Sequence, residues 1–411
     1  MIISNIAVVD VVNGTITNNQ HILIDGKKIV KVSANRIRRK GCLMINGKGK
    51  FIMPGLADMH AHLPNADEQH FKKEEYLFLF VANGVTTIRS MRGYSDQLTW
   101  RDSITQSKWI GPNLLLGSPV VYDEDSVFNR DKWVEFINLH AAKYDFIKYL
   151  HCRSTQNFDS ICNLLPSSTM ISGHCPPGGI EQAIKRKMRS VEHIEFIIDA
   201  LKEDSLSFKR KIQGLATGDL FFCPDLYWYY ITFDQYDLAT LNKKDYIKYV
   251  TKTERERWTQ ELGQYYRSDV QKNYAQFLKD KSDNSYWLQS VKRHLKWMSM
   301  QGVQLLISPA AGYYNVPGFS MYDEILLFKD AGLTNAEILK CATYNAAVCM
   351  KQEDSWGTVF ENKRADMIIL NKNPLTDISA LRSIYGVFYN GKYISNISIK
   401  KKLKQIEEDN K

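Results

Sequence analysis

The chain has 411 residues, 44% of them hydrophobic, and a net charge of +9. That length supports a large core, while no apolar run approaches the roughly 20 residues that cross a bilayer, so no membrane role is expected. The excess charge is dispersed or gathered in the terminal "KKKLKQIEEDNK" without any nucleic-acid motif, which argues against a nucleic-acid partner.

The opening "MIISNIAVVDVVNG" carries neither a basic leader nor a cleavage site, and the sequence reads as soluble and cytoplasmic. The seven cysteines are odd in number and lack CxxC spacing, so they are expected to be reduced thiols rather than disulfides or a structural zinc site. Over the first fifty residues, β-branched runs alternate with Asn-Gly and Asp-Gly turns, which is hairpin chemistry. The same texture returns in "ADMIIL" and "GVFYNGKYI". Residues 1–53 and 362–398 are therefore expected to build one β-sandwich from both ends of the chain.

The middle, residues 54–361, reads differently. Eight short apolar runs follow one another: "GLADMHAHL", "GVTTIRSM", "NLLLGS", "FIKYL", "TMISGHC", "SVEHIE", "LFFCPDLY" and "VQLLISP". Most are separated by segments of helical length. Continuous rather than alternating strands, each leading into a helix, predict an α/β fold: a (β/α)₈ barrel whose strands are covered on both faces. Residues 235–300 exceed one crossover helix and predict a helical excursion over one rim. Residues 399–411 read as a charged tail, either a frayed helix or a disordered end.

Chemistry in such a barrel sits at the C-terminal ends of the strands. The first run ends with His60 and His62 two apart, on one face of a strand, so both imidazoles can converge on one ion. Lys148, His174 and His193 end the fourth, fifth and sixth runs. One histidine in an apolar run is more often a satisfied core residue than a ligand. Four at strand ends beside a buried amine point the other way, because a metal would satisfy all of them together. His21, His70, His140, His151 and His294 lie in surface-like contexts, with structural or solvent roles.

"FIMPGLADMHAHL", "GVTTIRSM", "DFIKYL", "ISGHC", "VEHIE", "ATYNAA" and "GTVFENKRADMIILNKNPL" closely resemble the amidohydrolase superfamily, in particular its imidazolonepropionase-like and Xaa-Pro dipeptidase-like branch. The resemblance runs from about residue 3 to 395. It implies a metal-dependent barrel carrying a β-sandwich and hydrolysis of C–N bonds in a small-molecule amide, cyclic amide or dipeptide. It further implies that His60 and His62 bind a first divalent metal, zinc in the first instance, and that His174 and His193 bind a second. Lys148 would bridge the two as a CO₂-derived carbamate, which forms only from a neutral amine. A homo-oligomer is compatible with this reading.

The eighth strand departs from that family. A Gly-Thr-Asp-Ala-Gly-like ending is replaced by Ser308-Pro309-Ala310-Ala311-Gly312, so Ala310 stands where a metal-binding, proton-carrying aspartate is expected. Loss of a positioned acid/base costs on the order of 10²–10⁴ in rate. Asp225, at the end of the seventh strand, is the substitute acid/base candidate; the alternative is an inactive binding or regulatory protein on the same scaffold. Tyr227 in "YWYY" and Tyr313 and Tyr314 in "GYYNVPG" are candidate substrate contacts. Ser320 and Asp323 in "SMYDEI" fit a capping box. Asn362 replaces a family glycine in a turn that tolerates φ > 0.

Overall fold

A computed structural model of the chain describes residues 1–64, 72–234, 238–272 and 274–411. His70 lies outside the described residues. The eight apolar runs form eight parallel strands: Leu56–Ala61, Val85–Ser90, Asn113–Leu116, Ile147–Cys152, Ile171–Gly173, Ser190–Glu192, Phe221–Cys223 and Gln304–Leu305, called here the first to eighth barrel strands. The first three pair in sequence order, and so do the fourth to eighth. Two seams close the ring. Ser118 N donates to Phe146 O at 2.9 Å between the third and fourth strands, and Met59 N donates to Ile307 O at 3.2 Å between the first and eighth. The first and second strands are buried at every position, as covering on both faces requires.

The strands from both ends of the chain join in a single sheet. In spatial order it runs Lys392–Ser395, Ile384–Tyr389, Met367–Leu370, Phe51–Pro54, Ile2–Asp10, Thr15–Asp25 and Lys28–Ser33, with Met44–Asn46 also on Ile2–Asp10. Ile3, Ile22, Ile52, Met367, Ile369 and Phe388 form an apolar core of its own there, the sandwich module beside the barrel. Asn362 takes φ +68° in its turn, as anticipated.

The predicted excursion is helical, chiefly Lys252–Lys272 and Tyr274–Met300. Three expectations are corrected. The terminal segment is a docked helix, Asn396–Asp409: its stripe of Ile399, Leu403 and Ile406 packs inward, and Asn410 Nδ2 donates to Tyr249 O at 3.0 Å. His21 is buried rather than surface-like, because its strand is paired on both sides. Ser320 caps no helix through a box: helix Phe319–Asp330 starts after Gly318, and Ser320 Oγ instead accepts from Val316 N. Asp323 is structural for another reason, binding Lys244 Nζ at 3.1 Å and the Tyr246 hydroxyl.

Candidate functional site

The C-terminal ends of the barrel strands bring the predicted ligands together. His60 and His62 rings lie 5.3 Å apart, His60 and His193 4.7 Å, and His174 and His193 4.6 Å. Lys148 is 2% exposed beneath them, and its Nζ has no hydrogen-bond partner. The close approach of the fourth and fifth strands depends on Gly173: a Cβ there would stand 1.8 Å from Tyr149 O.

Asp225 joins this group. Its Oδ2 lies 3.1 Å from His60 Nδ1 and 3.1 Å from His193 Nδ1. Its Oδ1 accepts from the Cys223 thiol at 3.2 Å. The position is reached through a left-handed backbone, φ +52°, held from behind by Glu324, whose carboxylate accepts from Leu226 N at 3.0 Å and Tyr227 N at 2.6 Å. His193 (φ +73°) and Ala310 (φ +59°) are left-handed as well. Three successive strand ends thus carry non-glycine residues in a conformation that costs roughly 1–2 kcal/mol each, and such strain concentrates at functional sites.

Burial governs the protonation of these groups. Burial, reinforced by the Lys148 charge, pushes His62 down to about 3 and His174 to about 2. Burial likewise depresses His60, against the pull of Asp225. His60, His62 and His174 are therefore neutral, with lone pairs free to bind a cation. Burial also brings the Lys148 amine down to about 8, opposed by Glu192 and helped by Arg89. For Asp225 burial alone would raise the carboxyl, but its neighbours His60 and His193 hold it below the ordinary value. His62 Nε2, Lys148 Nζ, His193 Nδ1 and Asp225 Oδ2 are all buried without a hydrogen-bond partner. Orphaned donors and acceptors of this kind are costly, and nitrogen and oxygen donors converging on one space fit a divalent cation.

Glu192 was not singled out from the sequence. It is fully buried, accepts from Arg89 Nη2 at 2.8 Å, and meets His60 Nδ1 at 3.1 Å, fixing that ring. Arg89, a lone charge in "TTIRSM", was the available signal for it. Asp58 was also missed: it accepts from Ser308 Oγ at 2.6 Å, which ties the end of the eighth strand to the first.

Beside the cluster, a cavity of about 310 Å³ is lined by Asp58, His62, Trp228, Arg257, Ala310 and Tyr313, among others. The Trp228 ring lies so close over Gly312 that a Cβ there would approach it to 2.0 Å. Tyr313 is thus placed in the cavity wall, and Trp228 stacks with it at 6.5 Å. Tyr227 and Tyr314 are not: both are 1% exposed and face inward. The Tyr227 hydroxyl meets Tyr246 Oη at 3.3 Å and donates to Tyr314 O at 3.2 Å, whereas Tyr314 donates to Asn242 Oδ1 at 3.2 Å. The excursion covers them.

Comparisons with known proteins agree with this fold. The family described as "Amidohydrolase family" matches residues 304–394. No curated protein matches the sequence. Among solved structures, bottromycin amidohydrolase superposes with a TM-score of 0.79 at 17% identity, covering 100% of this chain and 90% of its own. A putative prolidase from Bifidobacterium longum gives a TM-score of 0.69 at 20% identity, covering 99% and 98%. A Xaa-Pro dipeptidase with methionine in its active site gives 0.70 at 15% identity, covering 96% and 99%. The chain thus shares the fold of these amidohydrolase and prolidase structures over nearly its whole length, and residues 304–394 match the amidohydrolase family model.

Proposed function

We propose that the protein is a metal-dependent hydrolase of C–N bonds in small amides, cyclic amides or dipeptides. The observation that carries this reading is the convergence of four imidazoles, one unpaired amine and one carboxylate at the mouth of the barrel. His60, His62, His174 and His193 would hold one or two divalent cations, with zinc the first candidate. Lys148, buried and unpartnered, would take up carbon dioxide as a carbamate, releasing a proton and supplying two oxygens to the same ions. A cation bound there polarises a carbonyl and makes a bound water more acidic.

The chain's own groups then do the rest. Asp225 Oδ2 accepts the proton of the attacking water and returns it to the leaving nitrogen, the task a strand-eight aspartate performs where Ala310 now stands. Glu192 holds the His60 ring, and Cys223 holds Asp225. Trp228 and Tyr313 give the substrate an apolar wall, and the lack of a side chain at Ala310 beyond a methyl leaves room beside it.

A panel of amides, lactams and dipeptides assayed with zinc, manganese or cobalt tests this. Turnover should vanish on chelation, and Asp225→Asn should lower kcat by about 10²–10⁴. Bound metal without turnover of any amide would instead support the binding-protein reading.

A further inference from the structure

Asp225, just beyond the seventh strand, stands between two of the clustered histidines. Asp225 Oδ2 stands 3.1 Å from the Nδ1 atoms of both His60 and His193, yet it is hydrogen-bonded to neither. His60 Nδ1 makes its hydrogen bond with Glu192 instead. His193 Nδ1 makes none. The three groups are drawn together without being aligned on one another as hydrogen-bond partners. One ligand atom from each of His60, His193 and Asp225 falls within 4.8 Å of the other two.

Charge points to the same three groups. Glu192 is paired with Arg89 at 2.8 Å. Among the described residues, Asp225 has no lysine or arginine nitrogen within ion-pair distance; its only ion-pair partners there are the two imidazoles. A fully buried carboxylate without a compensating cation is expensive. The fold nonetheless invests in holding it there, with a left-handed residue, the Cys223 thiol on Oδ1, and two backbone amides anchored on Glu324.

We propose that Asp225 is a direct ligand of the divalent cation, together with His60 and His193, so that the metal-binding carboxylate has moved from the eighth strand to the seventh. This rests on the hydrolase reading only for the presence of a metal, and the two fail separately, because the test reads metal rather than turnover.

The experiment compares metal-stripped wild type, Asp225→Asn, Asp225→His and Asp225→Asn/Ala310→Asp. Zinc content after dialysis, zinc affinity by chelator competition and the visible spectrum of the cobalt-loaded protein are measured, with circular-dichroism melts of the stripped forms as the folding control. Asp225→Asn should melt like stripped wild type but bind zinc more than about 100-fold more weakly, beyond the 10–100-fold typical of an outer-shell change. Asp225→His should keep cobalt with an altered spectrum, and the strand-eight aspartate of the double variant should recover part of the affinity. Zinc affinity within tenfold of wild type in Asp225→Asn, or an unchanged cobalt spectrum in Asp225→His, overturns the proposal. If Asp225→Asn does not fold, the cobalt spectrum of Asp225→His decides alone. Wild type that loads zinc with this pattern but hydrolyses no amide refutes the hydrolase reading and leaves the ligand assignment standing.

Discussion

Asp58 shows how one residue couples the departure at strand eight to stability. Burial raises its carboxyl from 3.8 to about 7, against the hydrogen bond from Ser308. A carboxyl raised on folding is neutral in the folded chain and ionised in the unfolded one between those two values. It therefore costs nothing below pH 3.8, and the cost grows until about pH 7. At about 1.4 kcal/mol per tenfold change, the penalty above pH 7 is about 4 kcal/mol. Asn can still accept from Ser308 and from His60 N, so Asp58→Asn should stabilise the metal-free protein more at pH 8 than at pH 4.5. Denaturant melts at the two pH values check this, and a gap that does not change with pH refutes it. The four histidines and Lys148 were legible because polar groups interrupt apolar runs at strand ends. Glu192 was not, because strand alternation aims the neighbour of His193 at the opposite face; the left-handed backbone at His193 breaks that alternation. Tyr227 and Tyr314 were misplaced because aromatic composition alone does not distinguish a pocket wall from the packing beneath a lid.

At the scale of elements, the barrel strands were readable because burial on both faces leaves uninterrupted apolar runs, and closure needed only short seams. The final helix was not. In "NISIKKKLKQIEED" the lysines and glutamates dominate composition, and only the spacing of Ile399, Leu403 and Ile406 betrays a buried stripe. That stripe meets helix Lys73–Ala82 and the sheet strands Ile384–Tyr389 and Lys392–Ser395. Ile406 is fully buried and Ile397 is 81% exposed, so the pair forms an internal control. Ile406→Ala should destabilise the chain by about 2–5 kcal/mol, whereas Ile397→Ala should stay within about 0.5 kcal/mol of wild type. Equal effects in urea melts would mean that the helix is not docked in solution.

Across the whole molecule, the barrel interior is fastened by a charge that the apolar pattern hides. Arg89 is fully buried on the second strand and reaches across the barrel. Its Nε donates to Met59 O of the first strand at 2.6 Å, its Nη1 to Ser190 Oγ at 2.8 Å, and its Nη2 to Glu192 Oε1 at 2.8 Å on the sixth. Glu192 in turn holds His60, so one network links the barrel's far walls to the histidine cluster above. Breaking a buried pair on one side strands the other charge. Arg89→Met should therefore cost about 3–5 kcal/mol, while replacing both partners with apolar residues of similar size can be nearly neutral. The double variant Arg89→Met/Glu192→Leu should accordingly be more stable than Arg89→Met alone. It should still bind zinc about 10–100-fold more weakly than wild type, because nothing then orients His60. Stability and metal affinity that recovered together in the double variant would show Glu192 to be only a counter-ion for Arg89. Stability recovering without affinity separates the two tasks: Arg89 closes the barrel, and Glu192 aims the histidine.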